Sequence, residues 1–311
     1  MPAARLLILL CAGVALLLGC KGAQSGGGGD LDRDPIALLP GLPLFVARVD
    51  ARAAYADSAI GASIGELSDE LLPLGAGEGL APSHDVDSIV LAGYSVSEPD
   101  VVAVVSGRFD TAALSAAVRT KTGTPIVAGT AGGFATRTFG RVSFAPITSH
   151  TVVAGTGEAL PRALERIAKG SLTRTVLPWI ADTLASKGAQ AVFVADLDSQ
   201  LSAGAALATL RWPLLSGLRI ARVIANFAPP GVHVAGTLSY STADQAQSAA
   251  EGAQTLATWV RRLGPLLGGV ELLNLDVGTQ ASDVRCAFAI DDHTLRTLVA
   301  LAPRLLSSVS P

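Results

Sequence analysis

Apolar positions along this chain switch between two periods, and the switching marks out its elements. Alternating or continuous β-rich runs stand at LFVARVD (44–50), SIVLAGY (88–94), VVAVVSGRF (101–109), GFATRTF with RVSFAPI (133–147) and HTVVAGT (150–156). These read as strands. Between them, apolar residues recur at three- and four-residue spacing over Ala51 to Leu72, Thr111 to Thr120 and Gly157 to Lys169, which predicts helices.

The same order returns in the second half. AVFVADLD (191–198) echoes LFVARVD, RIARVIANF (219–227) echoes SIVLAGY, and GVHVAGTLSYSTADQAQSAA echoes VVAVVSGRFDTAALSAAV, which sets Gly236 opposite Gly107. VELLNLDV then answers RVSFAPI, and DVRCAFAIDDHTLRTL answers HTVVAGTGEALPRAL. Through these later pairings the offset stays near about 130 residues, as a duplicated unit requires. Strands joined by short turns are antiparallel. The expected fold is therefore α+β, with two tandem repeated units of mainly antiparallel sheet and helices packed on one face. The units span 35–170 and 189–311, and a helix over 171–188, with Pro178 early in it, bridges them.

The first 34 residues follow another pattern. Arg5 precedes an apolar stretch from Leu6 to Leu18, too short for a membrane span of about 20 residues, and Lys21, Gln24 and a glycine run follow it. That is the profile of a secretory signal, here 1–19. Leu17, Leu18, Gly19 and Cys20 resemble the lipobox of bacterial lipoproteins. The resemblance covers these residues alone and implies that the chain is cut before Cys20, that diacylglycerol alkylates its thiol and that the new amine is acylated. It also implies that the protein sits in the cell envelope, held to a membrane by its acyl chains. Lys21, standing where an aspartate would retain the protein at the inner membrane, favours the outer membrane. Residues 20–34, with Gly26 to Gly29, form a flexible tether. Asp30, Asp32 and Asp34 start like a calcium loop, but Pro35 and Gly41 occupy the positions of its turn glycine and its bidentate glutamate, so no metal is expected there.

Composition then narrows the partners. Half of the chain is hydrophobic and 16% charged, with a formal net charge of −3, which leaves no basic face for nucleic acid. Of three cysteines, Cys11 leaves with the signal and Cys20 is lipidated, so Cys286 stands alone, on one face of its strand with Val284, Phe288 and Ile290. It reads as a small core residue.

No stretch carries a coherent catalytic set, and no cofactor is expected. Gly61 to Gly65, GASIG, match the G-x-S-x-G pattern of serine hydrolases, yet what precedes them is helical where a nucleophile elbow needs a strand. VVAGTGEALPRAL sets a glycine turn between strand and helix but lacks the third glycine and any Walker lysine, so Thr156 is expected to cap that helix, with Glu158 complementing its dipole. His84, His150, His233 and His293 are scattered, and His233 is expected to line the open side of the sheet. Asp50, Asp196 and Asp198 end equivalent strands and are expected to cap the helices that follow. The stretches LSAGAALATLRWPLLSGLRI and TLATWVRRLGPLLGGVELL are leucine-rich and either cover the sheet or leave an apolar patch. The expectation is a non-enzymatic binding or scaffold module in the envelope. A carrier of an apolar ligand in a cleft of the duplicated fold is the alternative, and a hydrolase using Ser63 is a third reading.

Overall fold

The structure, a computed structural model, describes residues 29–58, 60–95, 99–198 and 214–298. Among these residues, twelve strands form one sheet: β1 (Phe45–Val49), β2 (Val86–Gly93), β3 (Val101–Gly107), β4 (Val127–Ala131), β5 (Phe134–Phe139), β6 (Val142–Pro146), β7 (Thr151–Gly155), β8 (Ala191–Asp196), β9 (Leu218–Ala228), β10 (Gly231–Tyr240), β11 (Leu273–Gln280) and β12 (Asp283–Asp291). The main helices are α1 (Ala51–Tyr55), α2 (Gly61–Leu71), α3 (Thr111–Ala116), α4 (Ala159–Ala168), α5 (Pro178–Leu184) and α6 (Ala243–Leu263), and another helix begins at residue 292.

The sheet runs β11-β12-β10-β9-β8-β1-β2-β3-β7-β6-β5-β4, with every neighbouring pair antiparallel. The α+β class holds, and the strands of the two expected units lie in one sheet. β1 and β8 pair along their whole length, Phe45 opposite Ala195, Val46 opposite Val194 and Ala47 opposite Phe193. From this joint outward, each half follows its first strand with its second, third, last and next-to-last. The first half then adds the β5–β4 hairpin. β4 escaped the sequence reading because VAGTA is exposed almost throughout and shows no buried alternation.

Helices cover both faces, which corrects the expectation of one. On one face, α4, α5 and the turn at Pro35–Leu38 bury Val46, Val90, Val102, Val104, Val153, Val192 and Val194. On the other, Leu114 of α3 meets Val86, Phe144 and Val152, Ile64 of α2 meets Phe227 and Val232, and Ala246, Ala249 and Ala250 of α6 meet Tyr240 and Val284. Strands with apolar residues at consecutive positions, such as VVAVV, require cover on both sides. The outer part of the first face stays open: Arg222, Asn226, His233, Ala235 and Arg285 are exposed there. His233 therefore stands on the open side, as its alternation implied.

Local chemistry sets the helix boundaries. The span 51–72 is two helices, because α1 ends at Tyr55, Ile60 donates its amide to Asp57 Oδ1 (3.2 Å), and α2 starts at Gly61. A Cβ on Gly61 would lie 2.1 Å from the Tyr55 carbonyl, so only glycine permits this approach. Asp50 caps α1 through Ala53 N (2.9 Å), as expected, and Asp110 and Thr242 cap α3 and α6 in the same way. Pro178 opens α5 at its first position, where a missing amide costs nothing.

Candidate functional site

The residues that the sequence nominated for chemistry do not converge. Ser63 sits in the first turn of α2, after a helix and not a strand, so GASIG is a run of small helical residues and not an exposed elbow. The turn before α4 is closed to an anion by the chain itself: Asp100 Oδ1 accepts the Ala159 amide at 2.7 Å, and Asp100 Oδ2 pairs with Arg162. Thr156 does not cap the helix. Its hydroxyl donates to the Pro99 carbonyl (2.6 Å) and accepts from Val101 N (3.3 Å), so Asp100 takes the capping role.

Each histidine is engaged locally. His150 Nδ1 lies 2.9 Å from the Gly107 carbonyl, His233 Nε2 3.2 Å from Pro229 O and His293 Nε2 2.7 Å from Gly268 O, while His84 Nδ1 is 3.1 Å from the Ser83 hydroxyl. Among the described residues no three His, Cys, Asp or Glu side chains group as a metal site. Cys286 is half-buried on β12, its thiol 3.8 Å from the Gly236 carbonyl, and burial pushes its pKa up, away from the reactive thiolate. Asp196 accepts from the Asp198 amide, and Asp198 pairs with Arg219, which holds its carboxyl below the usual range. The helix that these aspartates were expected to cap, Cys20 with the rest of 1–28, and residues 201–213 of the first leucine-rich stretch lie outside the described residues. On α6 the second stretch leaves Leu256, Trp259 and Leu263 exposed.

Two concavities stand out among the described residues instead. A shallow one of about 250 Å³ lies on the open face between Ile224, Asn226, His233 and Ala287. The larger, of about 990 Å³, is a groove at the end of the β1–β8 joint. Arg48, Asp50, Arg52, Ala53, Asp87 and Gln190 line it from the strands and α1, Ala185 from the end of α5, and Arg33 to Ile36 with Arg174 from the far wall.

Arg48 is the unusual residue of this groove. Its partners across the sheet are Val90 on β2 and Val192 on β8, only 3% and 2% exposed, so an arginine occupies an otherwise aliphatic row. Nη2 donates to the Ala189 carbonyl at 3.0 Å. Nε is buried without a hydrogen-bond partner, and no carboxylate of the described residues forms an ion pair with this guanidinium. The other arginines of the groove all have one: Arg33 pairs with Asp30, Arg52 with Asp87 and Arg174 with Asp34. The sequence reading passed over Arg48, although a charge inside LFVARVD is the signal that marks it.

No protein-family model matches the chain, and no curated protein matches it in sequence. Solved structures do share its fold. Crystal form I of TP0453 aligns with 86% of this chain and 97% of its own at a TM-score of 0.53 and 10% identity. Crystal form III of the same protein covers 86% and 98% at a TM-score of 0.51 and 11% identity. The chain is thus similar to TP0453 in fold across nearly the whole of that protein.

Proposed function

We propose that this is a lipid-anchored protein of the bacterial envelope, held at Cys20 and more consistent with the outer than the inner membrane, whose body is a non-enzymatic binding module. The groove at the β1–β8 joint is its ligand site. The observation that carries this reading is the groove itself: its volume falls within the range of small-molecule sites, and it holds a guanidinium that has no carboxylate partner among the described residues. The groove's position fits the anchor, because Cys20 stands only thirteen positions before the groove residue Arg33. Asp30–Arg33 is helical, so the stretch before it, ten positions from Cys20 to Asp30, spans at most about 35 Å at full extension and the groove works close to the bilayer. Among the described residues no helix is long and apolar enough to cross a membrane.

Duplication of one unit is our reading of the fold's origin. The matching strand order on the two sides supports it, as does the pair Phe45 and Phe193, which hold the same place in FVARVD and FVADLD and stack across the joint with ring centroids 5.8 Å apart. An apolar-ligand carrier is the second reading, favoured by the exposed stripe of Leu256, Trp259 and Leu263 on α6, with Trp259 60% exposed.

Native mass spectrometry of the mature chain, released from its own envelope, tests these readings. A one-to-one adduct of polar-metabolite mass is the expected result. An adduct of lipid mass selects the apolar carrier, and a chain bare of small molecules and of protein partners contradicts the binding module.

A further inference from the structure

We propose that the groove takes a small organic monocarboxylate, with the carboxylate paired to Arg48. This rests on the reading of the groove as a ligand site and names the chemistry of its occupant. A guanidinium set among aliphatic neighbours has given up much of its hydration, and one carbonyl contact does not replace it. A buried donor without a partner in a folded protein calls for an absent partner that belongs there. Here the orphan is Nε of Arg48, on the edge of the groove's floor. The planar fork of a guanidinium matches a carboxylate through two parallel hydrogen bonds, Nε among the donors, once the side chain turns that edge toward the opening.

The surroundings choose among anions. Asp50 and Asp57 line the same groove, each accepting a backbone amide, from Ala53 and Ile60, and Asp87 is there with Arg52. With the other arginines already matched to aspartates, these carboxylates raise the cost of a second negative charge. A phosphate dianion is therefore disfavoured relative to a monocarboxylate. The accessible apolar wall is made of Pro35, Ala53, Ala56 and Ala185, small side chains that suit a short hydrocarbon body.

The test is calorimetry on the full mature chain in lipid nanodiscs, in buffer free of phosphate and carboxylates, with empty nanodiscs as the blank. The probes are pentanoate, its neutral isostere pentanamide, and inorganic phosphate. Pentanoate is expected to bind at one site and pentanamide at least tenfold more weakly, with phosphate weaker than pentanoate. Arg48→Met, which keeps the apolar stem, should lose at least tenfold in pentanoate affinity while unfolding cooperatively, and Arg48→Lys should keep part of it. Arg119→Met, exposed and outside the groove, should stay within about threefold. A second readout is the Arg48 Nε–H resonance, which should shift on pentanoate addition. Equal binding of acid and amide, tighter phosphate binding, affinity unchanged in Arg48→Met, or no binding of pentanoate would each overturn the proposal. A native adduct that is neutral and survives in Arg48→Met would sink this proposal while leaving the groove as a ligand site. Absence of any adduct or partner would remove the binding module with it.

Discussion

Val46→Asp is expected to remove the cooperative unfolding transition altogether. Val46 is fully buried at the second position of β1, opposite Ala92 on β2 and Val194 on β8, in the core that α4 and α5 cover. The cation nearest on that face, Arg48, donates to the Ala189 carbonyl beyond the start of β8, away from position 46. Ionised, the new aspartate carries an uncompensated charge, and protonated, it still buries a carboxyl without hydrogen bonds. Either state costs several kcal/mol, to be added to the lost valine contacts. Against a total stability of about 5–15 kcal/mol, that is enough to unfold the domain. Val46→Ala separates the two contributions, because it keeps the strand and removes only volume, at roughly 2 kcal/mol. Denaturant titration followed by circular dichroism is the measurement. A loss below about 1 kcal/mol in Val46→Asp would mean that this position is not at the centre of a packed sheet.

Cys20→Ala is expected to act all or none on processing. If the thiol of Cys20 is the acylation point, its removal deprives the chain of every lipid and blocks the cut before residue 20. Intact mass should then show residues 1–19 retained and the acyl mass gone. Two or three acyl chains, at about 0.8 kcal/mol per buried methylene, hold a protein on a bilayer almost permanently. Their loss leaves the retained apolar stretch Leu6 to Leu18 as the N-terminal membrane contact. Recovery of the normal lipidated product from Cys20→Ala would show that LLGC is not a lipobox.

Much of the architecture could be read from local pattern. Strand runs such as VVAVVSG and GVHVAGTLSY, and caps such as Asp50 and Asp110, act within a few residues and leave a mark on the sequence. The joint between β1 and β8 does not, because its register links residues about 150 positions apart and any apolar edge strand would satisfy the same pattern. Coverage on both faces was legible in principle, since consecutive valines in β3 need partners above and below, but alternation in the second half points to one wet face. Both signals are right, each for its own part of the sheet. The break after Tyr55 was hidden because Asp57 and Gly61 are compatible with a continuing helix until the Tyr55 carbonyl meets Gly61.

The candidate site followed the same logic. Motifs that look catalytic in one dimension, GASIG and VVAGTGEAL, are absorbed by helix starts and by Asp100. Arg48 has no motif around it. What distinguishes it is a mismatch between a charged side chain and its aliphatic row, and that becomes visible only once β2 and β8 flank it.

Amide hydrogen exchange across β1 and β8, measured on the full mature chain, tests the joint on which both the fold and the groove depend. In one continuous sheet these strands are central, and the amides of 45–49 and 191–196 should be among the slowest, opening only with global unfolding. Fast exchange of the alternate amides of both strands that face the joint, with those facing β2 and β9 still slow, would mean two separate sheets and no groove between them.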